Sequence, residues 1–274
     1  MSTLFLVGTP IGNMGDLSPR AIEVLTSVGL VCCEDTRRTG LMLNNLGIDA
    51  TLMRLDEHTE VASIPRVLDA LDDGRDVALV SDAGTPAISD PGQKLVAAVA
   101  GTRHVVTSVP GASAALAALT ISGLPTDRFV FEGFLPRSGT ERTQRLASIA
   151  RETRTVVVFE APHRIERTLD DLVASCGGDR SAALCRELTK LHEDVKRASL
   201  SELRTALGEP RGEYVIVVSG SNDATSYSPD DVDRMLRHEL ANGSSTRDAA
   251  SVVADITGES RKDLYARALE IGRS

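Results

Sequence analysis

Short β-branched, apolar runs alternating with amphipathic stretches narrow what this chain can fold into more than any other feature. Leu4 to Val7 reads as a strand that stops at a Gly/Pro turn, and Ser18-Pro19 opens a helix with a hydroxyl N-cap and proline in its first turn. Val28 to Cys33, Val77 to Ser81 and His104 to Val109 read as further buried strands. A helix from about Gly92 to Ala100 separates the last two, and an Ala-rich helix follows over Ala112 to Ile121. Strand–helix–strand order demands crossovers, which place helices on both faces of a parallel sheet. The expected class is α/β.

Beyond Gly123-Leu124-Pro125 the pattern changes. Strands are expected at Phe129 to Glu132, Thr155 to Glu160, Ala182 to Arg186 and Glu213 to Ser219, with helices near Thr140 to Arg151 and Arg164 to Ser175. Gly220-Ser221-Asn222 and Ser226 to Pro229 read as a linker. Past it only helices are expected, at Asp230 to Ala241, Thr246 to Thr257 and Ser260 to Ile271, with Gly243 and Gly258 as stops. The division this suggests is an N-terminal α/β domain over 1–112, a second over 113–222 and a small helical, helix-turn-helix-like domain over 223–274.

Charge follows that division. The chain of 274 residues has a net charge of −9 and only 3% aromatic residues, with no Trp. That excludes a polybasic nucleic-acid coat and an aromatic stacking platform. Residues 1–112 carry eight basic and fourteen acidic side chains, 113–222 fifteen of each, and 223–274 seven and ten. The middle unit is therefore where a basic surface can form without an acidic background. Cys32, Cys33, Cys176 and Cys185 lack CxxC or His spacing, so they are expected as reduced, buried thiols rather than metal ligands. The start lacks the charge and length of a signal sequence, and no segment reaches the ~20 apolar residues of a membrane helix. A soluble, cytoplasmic protein is expected.

No GxxxxGK[ST], HExxH or GxSxG occurs, which removes P-loop NTPases, zincins and the common serine-hydrolase elbow. The turn Gly8-Thr9-Pro10-Ile11-Gly12-Asn13 places Pro where a dinucleotide fingerprint needs its second Gly. Three small-residue loops nevertheless follow predicted strands: Thr9 to Asn13, Asp82 to Gly92, and Pro110 to Ala115. Ligands of open α/β sheets lie beyond the carboxyl ends of strands, where Gly and Ala let the backbone approach closely. A small-molecule pocket is expected there.

The strings Thr9 to Asn13, Glu34-Asp35-Thr36-Arg37 with Thr39-Gly40, Ser81 to Gly92, Pro110-Gly111, Glu132 to Pro136, Glu160 to Arg164 and Arg186 to Lys190 carry a resemblance. In order and spacing they resemble the ribosomal RNA small subunit methyltransferase I family, of the tetrapyrrole-methylase fold. Ala112 and Ala161 depart from the Pro and Ser common in that family. The resemblance implies two α/β domains with a cofactor cleft between them and S-adenosylmethionine as methyl donor. It also implies 2'-O-methylation of a cytidine in the decoding region of 16S ribosomal RNA, within a small subunit or assembly intermediate, by a homodimer. Carried over by position, cofactor contacts are expected from Pro10, Ile11, Gly12, Asp82, Gly84, Thr85, Pro86, Ile88, Ala114, Ala115, Glu160, Arg186 and Glu213. RNA contacts are expected from Arg37, Arg38, His163, Arg164 and Lys190, with no metal.

Methyl transfer from a sulfonium is an in-line displacement, so orientation matters most, and a positioned base would add roughly 10²- to 10⁴-fold. Glu34, Asp35, Glu160, Glu187 and His163 are the candidate bases. Asp35 and Glu187 lead because Arg37 and Arg186 stand beside them. Two other readings stay open at this level: a methyltransferase of the same fold acting on a tetrapyrrole, corrinoid or protein, and a helix-turn-helix regulator. The tail's Arg261, Lys262 and Arg267 favour the latter, whereas its apolar stripe Leu264, Ala268 and Ile271 favours packing.

Overall fold

The computed structural model describes residues 1–221 and 229–272. Of the expected linker, Asn222 and Ser226 to Ser228 lie outside the described residues. The first half runs β1 (Thr3–Val7), α1 (Pro19–Ser27), β2 (Leu30–Cys33), α2 (Thr36–Asn45), β3 (Leu52–Arg54), α3 (Glu60–Asp72), β4 (Val77–Leu79), α4 (Gln93–Ala100), β5 (Val105–Val109) and α5 (Ala114–Ser122). Its strands form an all-parallel sheet in the order β3-β2-β4-β1-β5. Both faces are covered, as crossovers require. Leu4, Cys32, Val77 and Leu79 pack toward α3 and α4, while Val7, Val31, Ala78 and Val109 pack toward α1 and α2.

The second half contains β6 (Phe129–Phe134), α6 (Gly139–Arg151), β7 (Thr155–Glu160), α7 (Ile165–Cys176), β8 (Ser181–Arg186), β9 (Asp194–Ser199), α8 (Leu200–Thr205) and β10 (Tyr214–Val218). Its mixed sheet runs β6-β7-β10-β8-β9, with only β6 and β7 parallel. Alternate residues divide between two layers. Val156, Val158, Leu184 and Ile216 face α6, α7 and α8; Val157, Ala183, Val215 and Val217 face α5 and Ile11. Ile11, from the turn after β1, thus ties the two sheets together.

Helices α9 (Pro229–Ala241), α10 (Thr246–Thr257) and α11 (Arg261–Ile271) have their own small core of Val232, Leu236, Val253, Leu264 and Ala268. The α/β expectation holds, and the structure adds elements the periodicity did not mark. Strand β3 is only three residues long, β9 is rich in charge, and α3 carries Pro65 within it. Cys176 is also only half-buried, unlike the other three thiols, all four of which burial pushes up. No described helix is long and apolar enough to cross a membrane.

Candidate active site

The carboxyl ends of the adjacent strands β4, β1 and β5 are sewn together. Gly8 N–H donates to the Val109 carbonyl, and Thr9 and Gly84 exchange both backbone hydrogen bonds at 2.9 and 3.1 Å. Thr85 Oγ1 donates to the Ala112 carbonyl at 3.2 Å, joining the second loop to the third. Gly8 and Gly111 meet backbone to backbone: a Cβ on Gly111 would lie 2.8 Å from the Gly8 carbonyl oxygen. Only glycine fits both positions.

Above these loops lies a cavity of about 570 Å³, the size of a small-ligand site. Ile11, Gly84, Thr85, Ile88 and Ala114 form its first-half wall; Phe134, Phe159, Pro162, Tyr214 and Val215 form the opposite wall. Phe134 and Phe159 meet edge to face at 5.7 Å. Polar groups then converge from both halves: Glu34, Arg38, Asp82, Asp90, Glu160, His163 and Glu213. The small-residue loops leave space that bulkier side chains would fill, and the carboxylates suit a cationic ligand. The residues present therefore fit a sulfonium-bearing nucleoside cofactor.

A second trough adjoins this cavity. It measures about 460 Å³, shares Glu34 and Asp82 with the main cavity, and is flanked by Arg37, Arg54 and Asp56. Arg37 and Arg38 are largely exposed. Sequence reasoning did not single out Arg54, Phe134, Phe159 or Asp90; Phe134 and Asp90 lay inside quoted strings whose glycines and prolines drew the attention.

Other expected site residues sit differently. Pro10, Gly12, Pro86 and Ala115 shape the loops without lining the cavity, and Ala115 is buried against the second sheet. Arg164 turns inward: its guanidinium pairs with Glu160 at 3.1 Å and donates to the Leu135 carbonyl at 2.6 Å. Glu160 is fully buried and also accepts from Thr168 Oγ1 at 2.6 Å, so its carboxyl oxygens are engaged in the floor of the cavity. Lys190 lies between Glu187 and Glu213, 2.9 Å from each. Arg186 follows Ala182 and Leu184 onto the face toward α6 to α8, and its Nε is buried without a hydrogen-bond partner, as is Thr189 Oγ1. His163 stands exposed at the cavity rim.

The two leading base candidates are both tied up as anions. Asp35 caps α2 through the Arg37 N–H and chelates the Arg37 guanidinium at 3.1 and 2.7 Å, which holds its carboxyl far below the usual range. Burial alone would raise Glu187, but the Lys190 ammonium and the Glu213 N–H outweigh it and lower it. A carboxylate so stabilised is a weak proton acceptor. Glu34 and Asp90 shift the other way. Burial raises Glu34 first, with Asp82 adding to it, and burial with the Glu34 charge pushes Asp90 up to about 6.

Backbone strain gathers here as well. Among the described residues four non-glycine residues have positive φ: Ala87 at 66°, Ser89 at 62°, Glu187 at 52° and Thr189 at 65°. Each such residue costs on the order of 1–3 kcal/mol and persists only where its surroundings impose it. Two flank the stretch leading into Asp90, and two shape the turn carrying Lys190.

Comparison with known proteins agrees with this geometry. Residues 3–204 match the family of Tetrapyrrole (Corrin/Porphyrin) Methylases, and residues 227–272 match the RsmI C-terminal HTH domain. Proteins named ribosomal RNA small subunit methyltransferase I are 44% identical in Synechocystis, covering 99% of both chains, and 45% identical in Xylella fastidiosa, covering 96% of this chain and 97% of that one. Among solved structures, the methyltransferase CobJ superposes with a TM-score of 0.60 at 20% identity, over 81% of this chain and 95% of its own. Diphthine synthase superposes at 0.58 with 18% identity, over 80% and 90%. Those two likenesses concern the fold alone. With sewn strand-end loops, a cavity between two sheets and relatives matching end to end, this chain belongs to the ribosomal RNA small subunit methyltransferase I family of tetrapyrrole-methylase-fold enzymes.

Proposed function

We propose that this enzyme transfers a methyl group from S-adenosylmethionine to the 2'-hydroxyl of a cytidine in the decoding region of 16S ribosomal RNA, within a small subunit or its precursor. The observation that carries the reading is the cavity at the meeting of the two sheets, in a chain matched end to end by relatives named for that ribosomal RNA. When bound, S-adenosylmethionine supplies an electrophilic methyl group on a positively charged sulfur. Gly84, Thr85 and Ala114 give the close-fitting wall that would hold it, and Glu34, Asp82 and Glu213 give the negative field that favours its charge. The same field repels phosphate. RNA is therefore held at the rim, where Arg37, Arg38, Arg54 and His163 are exposed, and only the target nucleoside enters. A homodimer is the working form we propose. Val105 and Phe129, exposed on the edge strands β5 and β6, support it as apolar surface a second copy would cover.

The test uses S-adenosylmethionine labelled in its methyl group and small subunits from cells lacking this enzyme. Label is expected on a cytidine ribose of 16S RNA after nuclease mapping. Label on a base, or none on RNA, refutes the assignment; sedimentation of the enzyme tests the dimer.

A further inference from the structure

We propose that Asp90 is the general base of the methyl transfer, taking the proton of the ribose 2'-hydroxyl; the assignment rests on the ribose reading above. In the step, the 2'-oxygen gains the methyl carbon and the electron pair of the broken carbon–sulfur bond stays on sulfur. The hydroxyl proton passes to the Asp90 carboxylate.

Position comes first. Asp90 lines the cavity from the loop between β4 and α4, and that loop is clamped on both sides. On one side, Glu60 Oε1 accepts the N–H groups of Gly92, Lys94 and Leu95 at 2.8–3.1 Å. On the other, Ser89 Oγ seats against Gly133, at the point where β6 breaks register with β7; a Cβ on Gly133 would lie 2.9 Å from that oxygen. Ala87 and Ser89, just before Asp90, hold left-handed backbone in this loop. Asp90 is therefore fixed where the two halves meet, which is where donor and acceptor must meet.

Charge separates it from its neighbours. Asp35 is paired with Arg37, Asp82 with Arg38, Glu160 with Arg164 and Glu187 with Lys190, whereas Asp90 and Glu34 have no ion pair among the described residues, and of these two Asp90 is the more buried and sits on the clamped loop. The groups acting on it are Glu34 after β2 and Asp82 and the Ser81 hydroxyl after β4; Arg38 of α2, Glu160 and His163 after β7 and Glu213 before β10 line the same cavity. Burial and the Glu34 and Asp82 charges outweigh the Ser81 hydrogen bond, so the carboxyl is pushed up to about 6. Below that value it is protonated and cannot accept; above it, it is ionised yet still basic enough to act. Glu34 faces the neighbouring trough as well, and its charge keeps Asp90 basic.

The full-length Asp90→Asn, Asp90→Glu and Glu34→Gln variants are compared with wild type on small subunits from cells lacking the enzyme. Turnover is followed across pH, and S-adenosylmethionine affinity is measured by calorimetry. Asp90→Asn is expected to lower kcat by roughly 10²- to 10⁴-fold with cofactor affinity unchanged, and Asp90→Glu to recover part of it. Glu34→Gln is expected to move the acidic limb of turnover below pH 6, because the charge that raises Asp90 is removed, and to weaken S-adenosylmethionine binding through the lost cavity charge. Near wild-type turnover by Asp90→Asn on a confirmed ribose target overturns the base assignment alone. So does a loss traced wholly to cofactor affinity, or a collapse of Glu34→Gln turnover at saturating cofactor while Asp90→Asn keeps its turnover. Wild-type label elsewhere than on a ribose overturns the reading of the reaction, and the base assignment with it.

Discussion

One oxygen of Glu60 accepts three backbone N–H groups at the start of α4, a stretch that Gly92 opens with no capping side chain of its own. The carboxylate stands at the positive end of the helix and substitutes for the missing cap. Glu60→Ala strands buried donors and is expected to cost about 2–3 kcal/mol in denaturant unfolding, and to weaken cofactor binding by freeing the Asp90 loop. A variant with wild-type stability would show that water replaces the carboxylate. At this scale the sequence was partly legible. The glycines and prolines of the strand-end loops announce themselves because turn geometry demands them locally. Asp90 does not, since its basicity arises from burial and from Glu34, fifty-six positions away in sequence.

Among the elements, β7 and α7 show how a helix fixes the floor of the cleft. Glu160 ends the strand, and Thr168, on the second turn of α7, donates to it at 2.6 Å. Arg142 of α6 in turn donates to Thr168 Oγ1 at 2.9 Å and to Asp171 at 2.8 Å. The chain is buried, so each member depends on the next. Thr168→Val keeps the shape but removes one donor to Glu160 and one acceptor from Arg142. The expected loss is about 2 kcal/mol in unfolding free energy, with weaker cofactor affinity and little change in the pH at which turnover falls. An unchanged melting curve would break the argument. The helices that carry this network were legible because α6 and α7 keep a regular apolar stripe. Strand β9 was not: Asp194, Lys196 and Arg197 give it a loop-like composition that an edge position tolerates. Its pairing with β8 is a tertiary fact that no local pattern carries. The α2 helix was hidden similarly, because Glu34 to Arg38 reads as an ion-pair cluster until Asp35 is seen capping the helix.

Across the whole molecule, charge and the C-terminal helices set how RNA is approached. Residues 1–112 carry an acidic excess and set Glu34, Asp82 and Asp90 in the cavity wall, so long-range attraction for RNA has to come from elsewhere. The apolar stripe of α11 does not serve the rest of the chain: Leu264 and Ala268 are buried against Val232, Leu236 and Val253 of the same three helices. Arg267 is taken by Asp233 and the Pro229 carbonyl. What α10 and α11 present outward is a groove flanked by Arg247, Lys262 and the exposed ring of Tyr265, a surface suited to a sugar–phosphate backbone. Because the three helices form their own core, deleting residues 223–274 is expected to leave the melting temperature and S-adenosylmethionine affinity of the remainder unchanged while lowering methylation of small subunits. The lost activity should be the salt-sensitive part, since each phosphate contact removed flattens the dependence of log affinity on log salt by somewhat less than one unit. Titrating salt with full-length and truncated enzyme separates the outcomes. Equal turnover and equal salt slopes would mean that the helices contribute nothing to RNA capture, and that Arg37, Arg38 and Arg54 at the trough hold the substrate alone.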